Sequence, residues 1–80
     1  MRWYVKKQSE NGKEILINYS YEKNDSCDGL LKYDKDNDKI SIEKMSDGAD
    51  EFATNWLFQH IYRLVSNGEL TENMRVVAVG

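Results

Sequence analysis

One amphipathic segment, from Asp47 to Gly68, limits the folds that this chain can adopt. It combines acidic residues at its start, a glycine at its end and apolar residues at helical spacing between them, which predicts an α-helix. Asp47 is the predicted N-cap, because its carboxylate can accept a hydrogen bond from a backbone N–H of the first turn. Ser46, one residue earlier, is the alternative cap. Gly68 stands where a left-handed C-cap is expected.

The predicted helix has an apolar arc and a polar arc. At about 100° per residue, the apolar arc is broad enough to cover a sheet; it comprises Ala53, Trp56, Leu57, Phe58, His60, Ile61, Leu64 and Val65. The opposite arc comprises Asn55, Gln59, Tyr62, Arg63 and Ser66. Within that opposite arc only Arg63 is charged, and protein interfaces are similarly poor in Lys and Glu but rich in Tyr and Arg. The polar arc is therefore the candidate interaction site, and a plain solvated helix face is the alternative.

Sequence patterns typical of β-strands occur both before and after this helix in the chain. Alternation of apolar and polar residues predicts two hairpins before it and one apolar strand after it. Asn11-Gly12 predicts a type I′ turn in the first hairpin, because both residues tolerate a positive φ angle. The last strand is apolar on both faces except at Arg75, which predicts a strand that is paired on both sides or placed centrally. The predicted strands span residues 2–8, 14–21, 30–34, 40–45 and 74–79.

These elements predict an α+β fold. We expect a four- to five-stranded, mainly antiparallel sheet with one helix packed on one face, in the order ββββαβ. The first four strands should form a meander, since consecutive strands usually pair. The last strand is expected to lie antiparallel to the first, and parallel pairing with the fourth strand is the alternative. Because 80 residues provide for one core, residues 1–80 are predicted to form a single domain.

Composition and charge restrict the class of protein. The net charge is −3, whereas proteins that bind by neutralising phosphates usually carry a basic face, so nucleic acid is disfavoured as a partner. The lone Cys27 provides no disulfide and fits a reducing compartment. The first residues enter a strand pattern without the apolar core of a signal peptide, and no apolar run approaches the roughly 18 residues of a membrane span. We therefore expect a cytoplasmic protein with no membrane partner.

An acidic turn, Asp34, Asp36 and Asp38, begins like a calcium-binding EF-hand loop. Such a loop needs Gly at its sixth position and a bidentate Glu at its twelfth, and this chain has Lys39 and Met45 there. The flanking segments also predict strands, whereas an EF-hand has helices. The turn is therefore predicted to be a charged hairpin tip, with no metal and no cofactor. A weak, adventitious cation site is the alternative.

His60 and Cys27 are the two residues whose chemistry could suit catalysis. A catalytic histidine needs an orienting carboxylate and a nucleophile, and His60 lies instead on the apolar arc. It is predicted to be a core-edge residue with a hydrogen-bonded ring. Cys27 lies in an acidic loop that disfavours the thiolate, so an exposed, unreactive thiol is predicted. No catalytic residue is predicted, and the protein is not expected to be an enzyme.

Three kinds of function remain open. The first is a small non-catalytic protein-interaction module, which could form a homodimer through the polar arc of the helix or through a sheet edge. The second is a small acidic inhibitor, of mobile-element or phage type, that occupies a nucleic-acid-binding protein with Asp34, Asp36 and Asp38 among its contacts. The third is a weak nucleic-acid binder that uses the basic first hairpin.

The basic hairpin has two explanations. Its cations stand beside aromatic residues that could stack on bases. Lysines also protect edge hairpins from unwanted pairing, and this simpler explanation is favoured by the acidic balance of the rest of the chain. The residues concerned are Arg2, Lys6, Lys7 and Lys13 with Trp3 and Tyr4.

Overall fold

The computed structural model describes residues 2–78 and has five strands and one helix in the order ββββαβ, which confirms the α+β prediction. The strand order in the sheet is β4-β3-β2-β1-β5, and every neighbouring pair is antiparallel. The elements are β1 (Arg2–Glu10), β2 (Glu14–Tyr21), β3 (Gly29–Asp34), β4 (Lys39–Lys44), α1 (Glu51–Ser66) and β5 (Arg75–Ala78).

The position of β5 was predicted in part. It lies antiparallel to β1, as expected, and the alternative of parallel pairing with β4 is wrong. The prediction of a central strand is also wrong, because β5 lies at the edge of the sheet. Val76 is accordingly 54% exposed, while Val77 faces the core. Residue 79 of the predicted strand lies outside the described residues.

The core lies between one face of the sheet and α1. Period-two alternation turns one set of apolar side chains from each central strand toward the helix. Burying a side chain of this size contributes roughly 1.5–3 kcal/mol before entropy is counted. The fully buried members of the core are Trp3, Val5, Ile17, Tyr19, Leu31, Leu57 and Ile61.

Helix α1 starts later than predicted, because its N-cap is Asp50. The Asp50 carboxylate accepts a hydrogen bond from the Ala53 backbone N–H at 2.7 Å. The predicted cap, Asp47, is wrong because Gly48 follows it with a φ angle of +86°, a left-handed conformation that cannot continue a right-handed helix. The alternative cap, Ser46, is also wrong, since its hydroxyl donates instead to the Asp28 carboxylate at 2.5 Å.

The C-terminus of α1 matches the prediction. Gly68 has a φ angle of +67° and its N–H donates to the Val65 carbonyl at 3.2 Å. The next N–H, of Glu69, reaches back to the Leu64 carbonyl at 2.9 Å. These two bonds form a Schellman motif, which needs a left-handed residue and therefore favours glycine.

The first hairpin does not have the predicted type I′ turn. Positive φ angles occur elsewhere among residues 2–78, and neither Asn11 nor Gly12 has one. Instead, the Asn11 side-chain oxygen accepts from the backbone N–H groups of Lys13 and Glu14 at 2.8 and 2.9 Å. A β-bulge just after Lys7 shifts the register of the hairpin. The hairpin is therefore closed by a wider turn that an Asn side chain stabilises.

Tyr19 joins the sheet to the segment before the helix. It lies opposite Gly29 in the β2–β3 ladder, and its ring occupies the space that a side chain at Gly29 would need. Its hydroxyl accepts from the Ser46 backbone N–H at 3.1 Å. Trp3 packs on the same ring, with centroids 6.0 Å apart. The hydrogen bond between the Tyr19 hydroxyl and the Ser46 backbone fixes where the chain leaves the sheet, and hence where α1 begins.

Candidate interaction surface

The outward face of α1 carries two exposed aromatic side chains. Phe52 is 74% exposed and Trp56 is 47% exposed. Their rings meet edge to face, with centroids 6.4 Å apart and an interplanar angle of 75°. The prediction that Trp56 is buried is wrong. The buried positions of the helix are Thr54, Leu57, Ile61 and Leu64.

This error has a geometric cause. At about 100° per residue, the four buried positions centre roughly 120° away from Trp56. The helix packs on a single sheet, so it buries a narrower stripe than the full apolar arc. Trp56 lies at one margin of that arc and is left facing solvent. Phe52 lies near the middle of the outward face.

Four of the five predicted interaction residues share this outward face. Asn55, Gln59, Arg63 and Ser66 are all exposed. Asn55 and Gln59 line, with the two aromatic rings, a shallow groove of about 280 Å³. We call the whole set the α1 surface. It consists of Phe52, Asn55, Trp56, Gln59, Arg63 and Ser66.

The fifth predicted residue, Tyr62, lies at the margin of the α1 surface. It is half-buried and packs against the core. Its ring meets Tyr33 of β3 in an edge-to-face contact, with centroids 6.0 Å apart. Part of Tyr62 therefore contributes to holding α1 on the sheet.

A second groove adjoins the α1 surface at Asn55. It runs between the helix and the edge strand β4 and has a volume of about 530 Å³. Its apolar lining includes Met45, which is 37% exposed, and the half-buried Phe58. Exposed apolar area thus continues from the helix toward the sheet edge.

The acidic turn is built mainly by its own side chains. The Asp34 carboxylate accepts from the backbone N–H of Asp36 at 3.0 Å and from the Asn37 side chain at 2.8 Å. These bonds, the Asn37 contact first, lower the pKa of Asp34. Asp38 accepts from the Tyr33 hydroxyl, and this bond raises the pKa of Tyr33 to about 12. Two of the three predicted acidic residues thus make hydrogen bonds that shape the hairpin tip.

The basic first hairpin divides its basic and aromatic residues between the two faces of the sheet, and Arg2, Tyr4 and Lys6 share the face turned away from α1. Trp3 is fully buried, so it cannot stack on a base. Lys7 pairs with Ile17 on the helix side of the sheet and forms a salt bridge with Glu10 at 2.9 Å. Tyr4 and Lys6 alternate with these residues and face the other side of the sheet. The predicted stacking surface is therefore divided between two faces.

His60 borders the α1 surface beside Arg63, whereas Cys27 lies in the loop between β2 and β3. His60 is half-buried beside β5, and no hydrogen bond joins its ring to another residue in the range 2–78, so only the predicted position at the edge of the core is seen. The prediction that Cys27 is exposed is wrong, since it is 6% exposed. Burial is the main cause that raises the pKa of its thiol, against the opposing effect of the nearby Ser20 hydroxyl. A buried thiol of raised pKa is a poor nucleophile.

No three His, Cys, Asp or Glu side chains in the described part of the chain come together as a metal site. No helix within residues 2–78 has the length and apolar character needed to cross a membrane. The chain was compared with known protein families, with curated proteins and with solved structures, and none of them matches.

Proposed function

We propose that this protein is a small non-catalytic interaction module that binds another protein through the α1 surface. The observation that carries the proposal is the exposed aromatic pair Phe52 and Trp56 on a helix face where Arg63 is the one charged residue. Binding hot spots are enriched in Trp, Tyr and Arg, and interface centres are depleted in Lys and Glu. The α1 surface combines both properties.

Neither of these two aromatic side chains belongs to the core that holds α1 on the sheet. The opposite side of α1 makes the core contacts, through Leu57, Ile61 and Leu64. Exposed apolar groups contribute about 25 cal/mol per Å² when they are removed from water. A partner that covers both rings would supply this stabilisation. The chain has a single cysteine, which suits a reducing compartment. The proposed location of the protein is therefore the cytoplasm.

The test is affinity capture from the native source with matched variants. We expect Phe52→Ser and Trp56→Ser each to reduce the amount of a captured protein at least tenfold, because a lost hot spot costs about 2 kcal/mol or more. The captured proteins are quantified by mass spectrometry. Thermal unfolding followed by circular dichroism verifies that both variants remain folded.

The control variant is Val76→Ser on the edge strand β5. Val76 is 54% exposed, so this change removes an apolar side chain of comparable exposure from a different surface. Its captured proteins should match those of the wild type. If the two α1 variants retain every protein that the wild type captures, the proposal is rejected.

A further inference from the structure

We infer that a second copy of this chain pairs with β4, so that two sheets join as one through antiparallel β4 strands. Within residues 2–78, β4 lies at an edge of the sheet and pairs with β3 alone. An edge of this kind can accept a further strand through its main chain. The inference concerns a surface other than the α1 surface and does not depend on the proposed function.

Two-fold symmetry limits how two β4 strands can meet. In an isologous pair, a contact of residue i with residue j is repeated as a contact of j with i. Opposite side chains of an antiparallel pair also share a face of the sheet, and the faces alternate along a strand. The symmetry axis must therefore pass through a residue of β4 and not between two residues. Three registers overlap well, and they are centred on Ile40, Ser41 or Ile42.

The register centred on Ser41 matches the side chains on both faces of the sheet. On the face turned away from α1, it places the exposed Lys39 opposite the exposed Glu43 of the second copy. On the face toward α1, it places Ile40 opposite Ile42 of the second copy, and both of these side chains pack at the border of the core. Opposite charges and apolar side chains stabilise a sheet when they lie directly across from each other.

The other registers do not match in this way. The one centred on Ile42 places Ile40 opposite Lys44, and the one centred on Ile40 leaves Lys39 opposite Ser41. The second edge strand has no matching pattern either, since Arg75 is the one charged residue between Arg75 and Ala78 of β5. The sequence of β4 is therefore complementary to itself in one register.

Both charged side chains are available for these contacts. Lys39 forms no salt bridge within residues 2–78. Glu43 contacts the Nζ atom of Lys32 through its Oε1 atom at 3.2 Å. Its Oε2 atom is left to accept from a second cation. In the dimer, each Glu43 thus lies between Lys32 of its own chain and Lys39 of the second copy.

β4 also has two features that usually keep edge strands from pairing, namely lysines and a β-bulge. Glu43 is the extra residue of this bulge, between Ile42 and Lys44. In the register centred on Ser41, the bulge falls at the end of the paired segment, and Lys39 meets a carboxylate. These features therefore oppose most partner strands but admit a second β4.

The groove between α1 and β4 lies beside the same edge. A two-fold axis that relates antiparallel strands of one sheet is perpendicular to the sheet, so both α1 helices lie on the same side of the joined sheet. The groove of about 530 Å³ then faces its counterpart in the second copy. Pairing of the edges thus brings together apolar surface from both copies, including Met45, which is 37% exposed.

The first test uses two charge reversals, Lys39→Glu and Glu43→Lys. Because β4 has six residues, the contact is small, and we expect a wild-type dissociation constant of about 10–100 µM. Each variant alone places like charges opposite each other at both ends of the pair, so this constant should rise at least tenfold. An equal mixture of the two variants restores both attractive contacts and should form a heterodimer. Sedimentation equilibrium over about 10–500 µM measures both effects.

The control for the reversals is Lys13→Glu, which makes the same change of charge at an exposed position of the first hairpin. Its dissociation constant should equal that of the wild type. Circular dichroism verifies that all three variants remain folded.

The second test traps the register. Ser41 lies opposite Ser41 of the second copy, where the Cα atoms of an antiparallel pair are about 4.5–5.5 Å apart. A disulfide spans this distance. Ser41→Cys should therefore form a covalent dimer with oxidised glutathione, detected by mass spectrometry of the intact protein. Lys13→Cys is the control and should give no more covalent dimer than the wild type.

Either of two results overturns the inference. One is a wild type that stays monomeric up to about 500 µM, as expected if β4 is a protected edge or pairs with a strand of another protein. The other is a dimer that neither charge reversal weakens and that Ser41→Cys does not trap. The capture experiment with Phe52→Ser and Trp56→Ser decides the proposed function separately, because these residues lie on the α1 surface.

Discussion

At the scale of single residues, Gly29 shows how tightly the sheet is built around one aromatic ring. A Cβ atom at Gly29 would lie 2.3 Å from the Cε1 atom of Tyr19. Tyr19 is fully buried, between Trp3 and the segment that leads to α1. The ring cannot move away without disturbing the core. Gly29 is therefore required because a larger side chain does not fit at that point of the ladder. Its backbone conformation does not require glycine, since its φ angle is not positive.

Gly29→Ala should lower the free energy of unfolding by about 1–3 kcal/mol, the usual cost of overpacking. Urea unfolding monitored by circular dichroism measures the change. Gly12→Ala is the matched control, because nothing lies within 4 Å of a Cβ atom there and its φ angle is not positive. The control should be neutral or slightly stabilising. Equal stability of the two variants would contradict the packing described for Tyr19.

Cys27 illustrates a residue-scale property that the sequence does not reveal. The polar, acidic neighbours of Cys27 predict exposure, but the thiol is buried. Cys27 also has a φ angle of +51°, which is uncommon for a residue other than glycine. The local composition does not predict the burial of Cys27, because that burial depends on how the whole 22–28 loop folds back onto the sheet.

At the scale of elements, the strands and the C-terminus of the helix could be predicted, whereas the start and the rotation of the helix could not. Strand alternation is a local signal with a period of two, and one face of each central strand is buried. The start of α1 depends on Gly48 and on the bond from Ser46 to Asp28, a contact between residues far apart in the sequence. The rotation of α1 depends on how much of its apolar arc one sheet can cover. The spacing of Phe52 and Trp56, which are four residues apart, indicates a second apolar stripe on the helix.

The position of the helix start can be tested with two alanine variants. Asp50→Ala should lower the free energy of unfolding by about 0.5–2 kcal/mol, because it leaves an N–H of the first turn without its acceptor. Asp47→Ala should cost less than about 0.5 kcal/mol, since the Asp47 contact with Asp28 is made by its backbone N–H and survives. Urea unfolding compares the two. A larger cost at Asp47 would support the sequence-based cap over the observed one.

At the scale of the whole molecule, Glu10 connects two hairpins at one end of the sheet. Its carboxylate contacts Lys35 at 2.7 Å and Lys7 at 2.9 Å. These contacts, that with Lys35 first, lower the pKa of Glu10 from 4.5 to about 2. The ionised carboxylate is thus bound more tightly in the folded chain than in the unfolded one. Its contribution to stability must depend on pH.

Glu10→Gln should lower the free energy of unfolding by about 1 kcal/mol at pH 7, the usual worth of two partly exposed ion pairs. The difference from the wild type should be constant above a pH of 4.5 and vanish as the pH falls to about 2. The wild type loses this extra stability as the pH falls, because protonating Glu10 removes both ion pairs. Urea unfolding at several pH values measures the difference. Glu72→Gln removes the same charge at an exposed position of the 67–74 link and is the control.

The pairing of β1 with β5 has a consequence for how fast the chain can fold. Arg2 lies opposite Ala78, so these two strands come from opposite ends of the described chain. The four-stranded meander can form from neighbours in sequence, whereas β5 joins only after a large loop has closed. Contacts at such separations raise the contact order and slow folding. We expect β5 to add last and its amides to be the first of the five strands to exchange with solvent, which makes the sheet edge beside β1 the place where this fold opens.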